Sequence, residues 1–407
     1  MAVERVAGCL WNRWPDHRGM GGRMVMESVA GWARNTQAGP FDLIVTSYGL
    51  MQQSIEHLQE KRWQTLILDE AQAIKNPVTK RSKAVSRLNA EFKIALTGTP
   101  VENHLGELWS LFNFLNPGLL GSLPSFNERF AGPIELQQDQ LAKQRLKRLV
   151  QPFMLRRLKT QVLEELPSRT EIVLHVEMSK EETAFYEAIR QKAVEQFTDV
   201  GVPDEKKRFQ VLAEITRLRQ ACCNPNLIAP ELGLPSAKQE VLLNIVDELL
   251  ENSHKALVFS QFVTHLALVR KALDAKGISY QYLDGSTPAK QRRLAVDAFQ
   301  AGEGDLFLIS LKAGGTGLNL TAADYVIHLD PWWNPAVEDQ ASDRVHRIGQ
   351  QRPVTIYRLV TKATIEDKIV ELHKHKRDLA DNLLEGAESS ARLSAEDILA
   401  LLKDAQD

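Results

Sequence analysis

The sequence predicts an α/β protein of two lobes, each with a parallel sheet, the first lobe incomplete, and with helical insertions between them. Three observations predict it. Short apolar runs alternate with helix-like segments in two separate regions, and a long, mostly helical stretch divides those regions. The runs are apolar on both faces, as strands are when helices cover both sides of a parallel sheet. With 407 residues, 43% hydrophobic and 25% charged, the chain is long enough for two or three domains that each bury a core.

The elements follow in order. "DLIVTSY", "QTLILDE" and "FKIALTGTP" are the three strand-like runs of the first region. The stretch from Glu102 to Leu234 reads as helical: it holds "GELWSLFNFLNP", a basic segment, "SKEETAFYEAIRQKAVEQF" with Ser179 and Glu182 placed as a capping box, and "FQVLAEITRLRQACCNP". The second region is fuller, with "KALVFSQF", "ISYQYLDGS", "GDLFLISL", "DYVIHLD" and "VTIYRLV" giving five strands joined by helical crossovers. Helices close the chain. The expected division is 1–101, the remainder of the first lobe; 102–235, helical insertions and linker; 236–365, the second lobe; and 366–407, C-terminal helices.

Composition narrows the class. No run approaches the roughly 18 apolar residues of a membrane span, and Glu4 and Arg5 interrupt any signal peptide, so the expected compartment is the cytoplasm. Cys9, Cys222 and Cys223 fit no CxxC pattern; the adjacent pair reads as small buried residues, and no structural zinc is expected. His373 and His375 read as part of a solvated helix face. The formal charge of −2 gives no global pull toward nucleic acid, but every charged residue from Leu141 to Lys159 is basic, including Arg156 and Arg157.

Four stretches carry chemistry. In "LILDEAQAIKNP" an apolar strand ends in Asp69 and Glu70, at the strand end where open α/β sheets bind ligands. An aspartate there can hold Mg²⁺ through its water shell, and the next glutamate can orient or deprotonate an attacking water. In "ALTGTPVEN", Thr97, Gly98 and Thr99 permit a tight loop whose hydroxyls can reach back to that acid pair. In "QASDRVHRIGQ", Gln340, Arg344 and Arg347 fall at i, i+4 and i+7, one face of a helix, a pattern that suits arginine fingers as well as a salt-bridge network. In "SLKAGGTGLNLTAAD" the glycines, Gly317 among them, let backbone N–H groups approach a phosphate, and Asn319 can meet a ribose hydroxyl or shape the loop. Trp332 and Trp333 are read as packing residues in preference to base-stacking platforms.

Together "DEAQAIKN", "LTGTPVENHLGELWSLFNFLNPGLLGS", "FMLRRLK", "LVFSQF", "YLDGST", "GGTGLNL" and "DPWWNPAVEDQASDRVHRIGQ" resemble the Swi/Snf-type DNA translocases, helicase-like ATPases of superfamily two, over Phe41 to Lys376. The resemblance implies two RecA-like lobes with ATP in the cleft between them and duplex DNA as partner, bound without sequence preference, with a protein partner possible on that DNA. It implies ATP and Mg²⁺ as cofactors, Asp69, Glu70, Gln72, Arg344 and Arg347 as catalytic residues, and Gly317, Asn319 and Gln340 against nucleotide. Thr97, Gly98 and Thr99 become the coupling loop. Thr46 and Ser47, Asp284, Gly285, Ser286 and Thr287, and Arg156 and Arg157 become the DNA-facing groups.

One departure stands out: no GxxxxGK[ST] loop occurs. "RGMGGRM", Arg18 to Met24, lacks the lysine and hydroxyl, and no strand is expected before it. The expectation is therefore a chain cut short before its phosphate anchor, impaired in hydrolysis, with a first sheet that lacks internal strands and exposes apolar edges. The alternative is a DNA-binding or interaction module without catalysis, or a non-functional fragment.

Overall fold

The computed structural model describes residues 24–26, 42–98, 104–157, 159, 163, 165–198, 204–314 and 318–373. The chain divides into two compact units, one holding the described residues up to Met154 and the other those from Leu155 onward.

Among the described residues of the first unit the strands form two parallel pairs. β1 (Met24–Met26) pairs with β2 (Leu43–Val45), and β3 (Arg62–Leu68) pairs with β4 (Asn89–Ala95). The strand β1 was not expected from the sequence. One face of the β3–β4 pair packs on a core of Met51, Ile74, Val85, Leu111 and Phe114. The other is open, with Ile67 54% and Phe92 60% exposed, and Leu96 just beyond it 51% exposed. Burial of such side chains is worth about 1.5–3 kcal/mol each, so this face adds little to the unit's stability. A second core gathers under helix Leu105–Leu115, where Leu105, Leu108 and Phe112 meet Phe126, Ile134 and Leu146.

The second unit is a six-stranded, wholly parallel sheet in the order β5 (Arg169–Val176), β10 (Val354–Thr361), β9 (Tyr325–His328), β6 (Ala256–Ser260), β8 (Leu306–Ser310), β7 (Tyr280–Leu283). The five expected strands are all present. The sixth, β5, lies in the stretch read as helical: "TEIVLHV" has β-branched character, but among the described residues its one sheet neighbour is β10, which pairs Val354 with Arg169 and Thr361 with Val176. Both faces of β6 and β8 are buried, one under Phe299, Leu318, Leu320 and Val345, the other under Leu242, Val246, Leu266 and Val269. The capping box forms as read: Ser179 N–H donates to Glu182 Oε2 at 2.9 Å and Glu182 N–H to Ser179 Oγ at 3.2 Å, opening helix Lys180–Thr198.

Candidate nucleotide site

In the first unit the parallel pairing of β3 and β4 brings two strand ends to the same edge. Leu96 N–H donates to Leu68 O at 2.8 Å and Ala71 N–H to Leu96 O at 2.9 Å, extending the pairing past both strands. This sets Thr97 beside the acid pair. Thr97 Oγ1 donates to Gln72 Oε1 at 2.8 Å, and Gln72 Nε2 donates to Glu70 Oε2 at 2.5 Å. The reach back from the loop to the acid pair thus runs through Gln72. Asp69 and Glu70 are both exposed, and Glu70 takes a left-handed backbone (φ 49°), unusual for a residue with a Cβ. Tyr48 O–H donates to the Asp69 carbonyl at 2.9 Å. Its phenol is pushed up to about 12 by burial and by the Asp69 and Glu70 charges, so it remains a donor across the physiological range. The exposed oxygen donors of Asp69 suit a hard, water-coordinated ion such as Mg²⁺. Thr99 lies outside the described residues.

In the second unit the glycine-rich turn and the arginines meet. Leu320 N–H donates to Arg344 O at 3.1 Å, and Arg347 Nη1 donates to Leu318 O at 3.3 Å. Gln350 Nε2 braces the same turn through Ala323 O at 2.8 Å. The one-face reading of Gln340, Arg344 and Arg347 needs correction, because helix Pro335–Ser342 ends before either arginine. Beyond it the chain tightens into i→i−3 bonds, Arg344 N–H to Ala341 O and Val345 N–H to Ser342 O, then turns at Gly349 (φ 100°). As a result Arg344 is buried while Arg347 is exposed, and Gln340 is half-buried on the helix. Asn319 is exposed; Gly317 lies outside the described residues. Lys159, from the basic segment, pairs with Asp343 at 2.7 Å and donates to His346 O at 3.3 Å, bracing this turn.

A model of the SNF2-related domain matches residues 22–227, just over half of the chain, and the helicase conserved C-terminal domain matches 237–349. The chain belongs to the SNF2-related family. Among its relatives is YwqA of Bacillus subtilis, provisionally named an ATP-dependent helicase/translocase, at 39% identity over 88% of this chain and 39% of that protein. The human SWI/SNF-related matrix-associated actin-dependent regulator of chromatin subfamily A member 1 is 35% identical over 90% of this chain and 36% of its own length. The chain thus spans under two fifths of these relatives. The Sulfolobus solfataricus SWI2/SNF2 ATPase core in complex with dsDNA matches at 33% identity and a TM-score of 0.47, covering 93% of this chain and 78% of that one.

Elsewhere in this SNF2-related chain, several expected contact residues have other partners. Asp284 is buried, and its Oδ1 accepts from Ser286 N–H and Oγ (2.8 and 2.7 Å) and from Thr287 N–H and Oγ1 (3.0 and 3.1 Å). Its carboxylate therefore shapes the loop, and an acid suits no phosphate contact; Gly285 and Ser286 are the exposed residues there. Ser47 accepts from Leu50 N–H as a helix N-cap, and the Thr46 hydroxyl lies 3.4 Å from Ser47 O. Arg156 and Arg157 are exposed. His373 corrects another reading: it is buried, and its Nε2 bonds the Trp332 carbonyl; His375 lies outside the described residues. Trp332 and Trp333 pack as expected, with the guanidinium of buried Arg219 about 5.7 and 5.5 Å from their rings. Tyr48 and Arg219 were not singled out from sequence, though Tyr48 closes the quoted "IVTSY".

The Asp284 loop gives a pH prediction. Hydrogen bonds from Ser286, then Tyr282 and Thr287, hold the Asp284 carboxyl at about 2, below its ordinary value. A depressed carboxyl stabilises the fold fully above its unfolded value of about 4 and loses that contribution as pH falls through the folded value. The melting-temperature gap between wild type and Asp284→Asn is expected to be widest near neutrality and to close between about pH 4 and pH 2. A gap unchanged across that window would contradict the assignment.

Proposed function

We propose that the chain is the motor core of an ATP-dependent translocase on double-stranded DNA, with Mg²⁺ as the companion of ATP. The observation that carries this is the hydrogen-bonded run from Thr97 through Gln72 to Glu70, which connects the acid pair to the loop after β4. Movement of that loop would turn or release the Glu70 carboxylate and so would tie hydrolysis to mechanical movement. Asp69 would hold the ion, which when bound neutralises phosphate charge. Glu70 would orient the attacking water and accept its proton. Asn319, Gln340 and the backbone at Gly317 would face the nucleotide, and Arg347 would meet charge developing on the phosphoryl group, with Arg344 fixing the turn from inside. Thr99 would belong to the coupling loop with Thr97 and Gly98.

DNA would be held by backbone contacts from Thr46, Ser47, Gly285, Ser286, Thr287, Arg156 and Arg157. Affinity should then fall steeply with salt and depend little on sequence. The setting is the DNA of the cytoplasm. Domain roles follow the division at 1–101, 102–235, 236–365 and 366–407, except that β5, inside the second range, adds an edge strand to the sheet of the second lobe.

The absence of GxxxxGK[ST] from the sequence favours one refinement: this chain alone hydrolyses ATP poorly while still binding DNA. Steady-state hydrolysis with and without duplex DNA, beside Glu70→Gln, tests both readings. Weak hydrolysis by the chain alone, rising with DNA when a segment carrying GxxxxGK[ST] is fused to it, is the expected result. In that fusion Glu70→Gln should remove about 10²–10⁴ of the rate. Strong DNA-stimulated hydrolysis by the chain itself would overturn the refinement, and failure to bind duplex DNA at low salt would overturn the translocase reading.

A further inference from the structure

Three chemically reactive side chains that the nucleotide site does not use meet inside the second unit. Cys223 ends helix Asp204–Cys223, His265 sits in the first turn of helix Val263–Lys276, and Asp330 follows β9 at the carboxyl side of the sheet. They are 0%, 1% and 3% exposed. One ligand atom from each, a thiol sulfur, an imidazole nitrogen and a carboxylate oxygen, lies within 4.8 Å of the others.

His265 marks this as more than core packing. Its Nδ1 is buried and has no hydrogen-bond partner among the described residues, although buried ring nitrogens ordinarily find one. Cys223 carries a free thiol. Asp330 is already oriented: Oδ1 accepts from Ser260 Oγ at 2.5 Å, and Oδ2 from Gln261 N–H at 3.3 Å, with Arg219 at 4.0 Å. The nearby Lys238 charge is compensated by Glu366 at 2.5 Å.

We propose that Cys223, His265 and Asp330 bind a divalent transition ion, zinc by the chemistry of the donors. Sulfur, nitrogen and oxygen together suit Zn²⁺, whereas Mg²⁺ and Ca²⁺ take oxygen alone, so this site is separate in kind from that at Asp69. Around bound zinc, ligand atoms stand about 3.3–3.8 Å apart; from within 4.8 Å of one another, the three would have to close to that spacing on binding. Burial pushes the Cys223 thiol up, so the empty site holds the proton. On binding, the Cys223 S–H bond breaks, an S–Zn bond forms and the proton leaves to solvent, while thiolate and carboxylate together balance the ion's charge. The ion would tie the end of helix Asp204–Cys223 to the Asp330–Trp333 loop. This revises the sequence reading for Cys223; Cys222, adjacent and also buried, stays a core residue.

The test is titration of the full chain, stripped by a chelator, with Co²⁺ and then Zn²⁺. A thiolate-to-cobalt charge-transfer band that saturates at a single equivalent and is bleached by Zn²⁺ is expected. Cys223→Ser should abolish the band, His265→Ala should weaken binding by about tenfold or more, and Cys222→Ser should leave both unchanged. A band that survives Cys223→Ser overturns the proposal. So does a wild-type chain with no band and no Zn²⁺-induced rise in melting temperature, a result that needs no variant to fold.

Discussion

Replacing Arg347 with alanine is expected to lower DNA-stimulated ATP hydrolysis by about 10³–10⁵-fold while leaving thermal stability near that of the wild type. The physical basis is the split between the two arginines. Arg347 is exposed, and among the described residues its side chain is held by one backbone carbonyl, that of Leu318, beside the glycine-rich turn. A guanidinium so placed is available to an anion, and its loss removes little packing. Arg344 is buried, and its loss would be felt by the fold as well. Hydrolysis is best measured in the fusion that carries GxxxxGK[ST], where the baseline rate leaves room for the loss. Arg347→Lys should restore little, since a point charge does not reproduce the planar fork. If Arg347→Ala instead lowered the melting temperature with only a small change in rate, Arg347 would be a brace for the turn and not a partner of the phosphoryl group.

Replacing Arg358 with methionine is expected to destabilise the second unit by about 3–5 kcal/mol, read from the denaturant midpoint. Arg358, on β10, joins Glu338 at 2.9 Å and Asp339 at 3.2 Å, and also reaches Glu171 on β5. Arg169 adds Asp343 at 3.1 Å. Burial works against the Arg358 charge, but Glu338 and Glu171 outweigh it and hold its pKa above the ordinary value. Burial likewise pushes the Glu338 carboxyl up against the pull of Arg358. Glu338 is fully buried, so removing the arginine leaves a carboxylate with no compensating charge in a dry site. Arg358→Met combined with Glu338→Gln should recover most of the loss, because no uncompensated charge remains. A single-variant cost below about 1 kcal/mol would place this network with exposed ion pairs instead. The network also anchors helix Pro335–Ser342, so variants here are expected to disturb the turn that carries Arg347.

Much of this was legible in the sequence because it is local. The runs "ALVFS", "LFLIS" and "YVIH" are apolar on both faces, and that alone marks central parallel strands. Ser179 and Glu182 are spaced for a capping box and form one. The strand β5 was missed because an edge strand earns its state from its neighbour, here β10, and only the fold supplies that pairing. The stripe Gln340, Arg344, Arg347 was misjudged because helical spacing says nothing of where the helix stops. Asp284 in "YLDGST" was expected to face DNA, yet four hydrogen bonds to one oxygen turn it inward.

By itself the sequence determined the α/β class, the order of the chemical motifs, the carboxylates at the end of β3 and the family to which the chain belongs, since these depend on residue type and short-range spacing. Only the tertiary structure decided which of those groups face solvent and which are committed inside. It put Gln72 between Thr97 and Glu70, left Arg347 outside while burying Arg344, and brought Cys223, His265 and Asp330 together from three elements. The reason is physical: a side chain's role is fixed by the partners and the burial that distant segments give it, and periodicity along one segment carries no record of either.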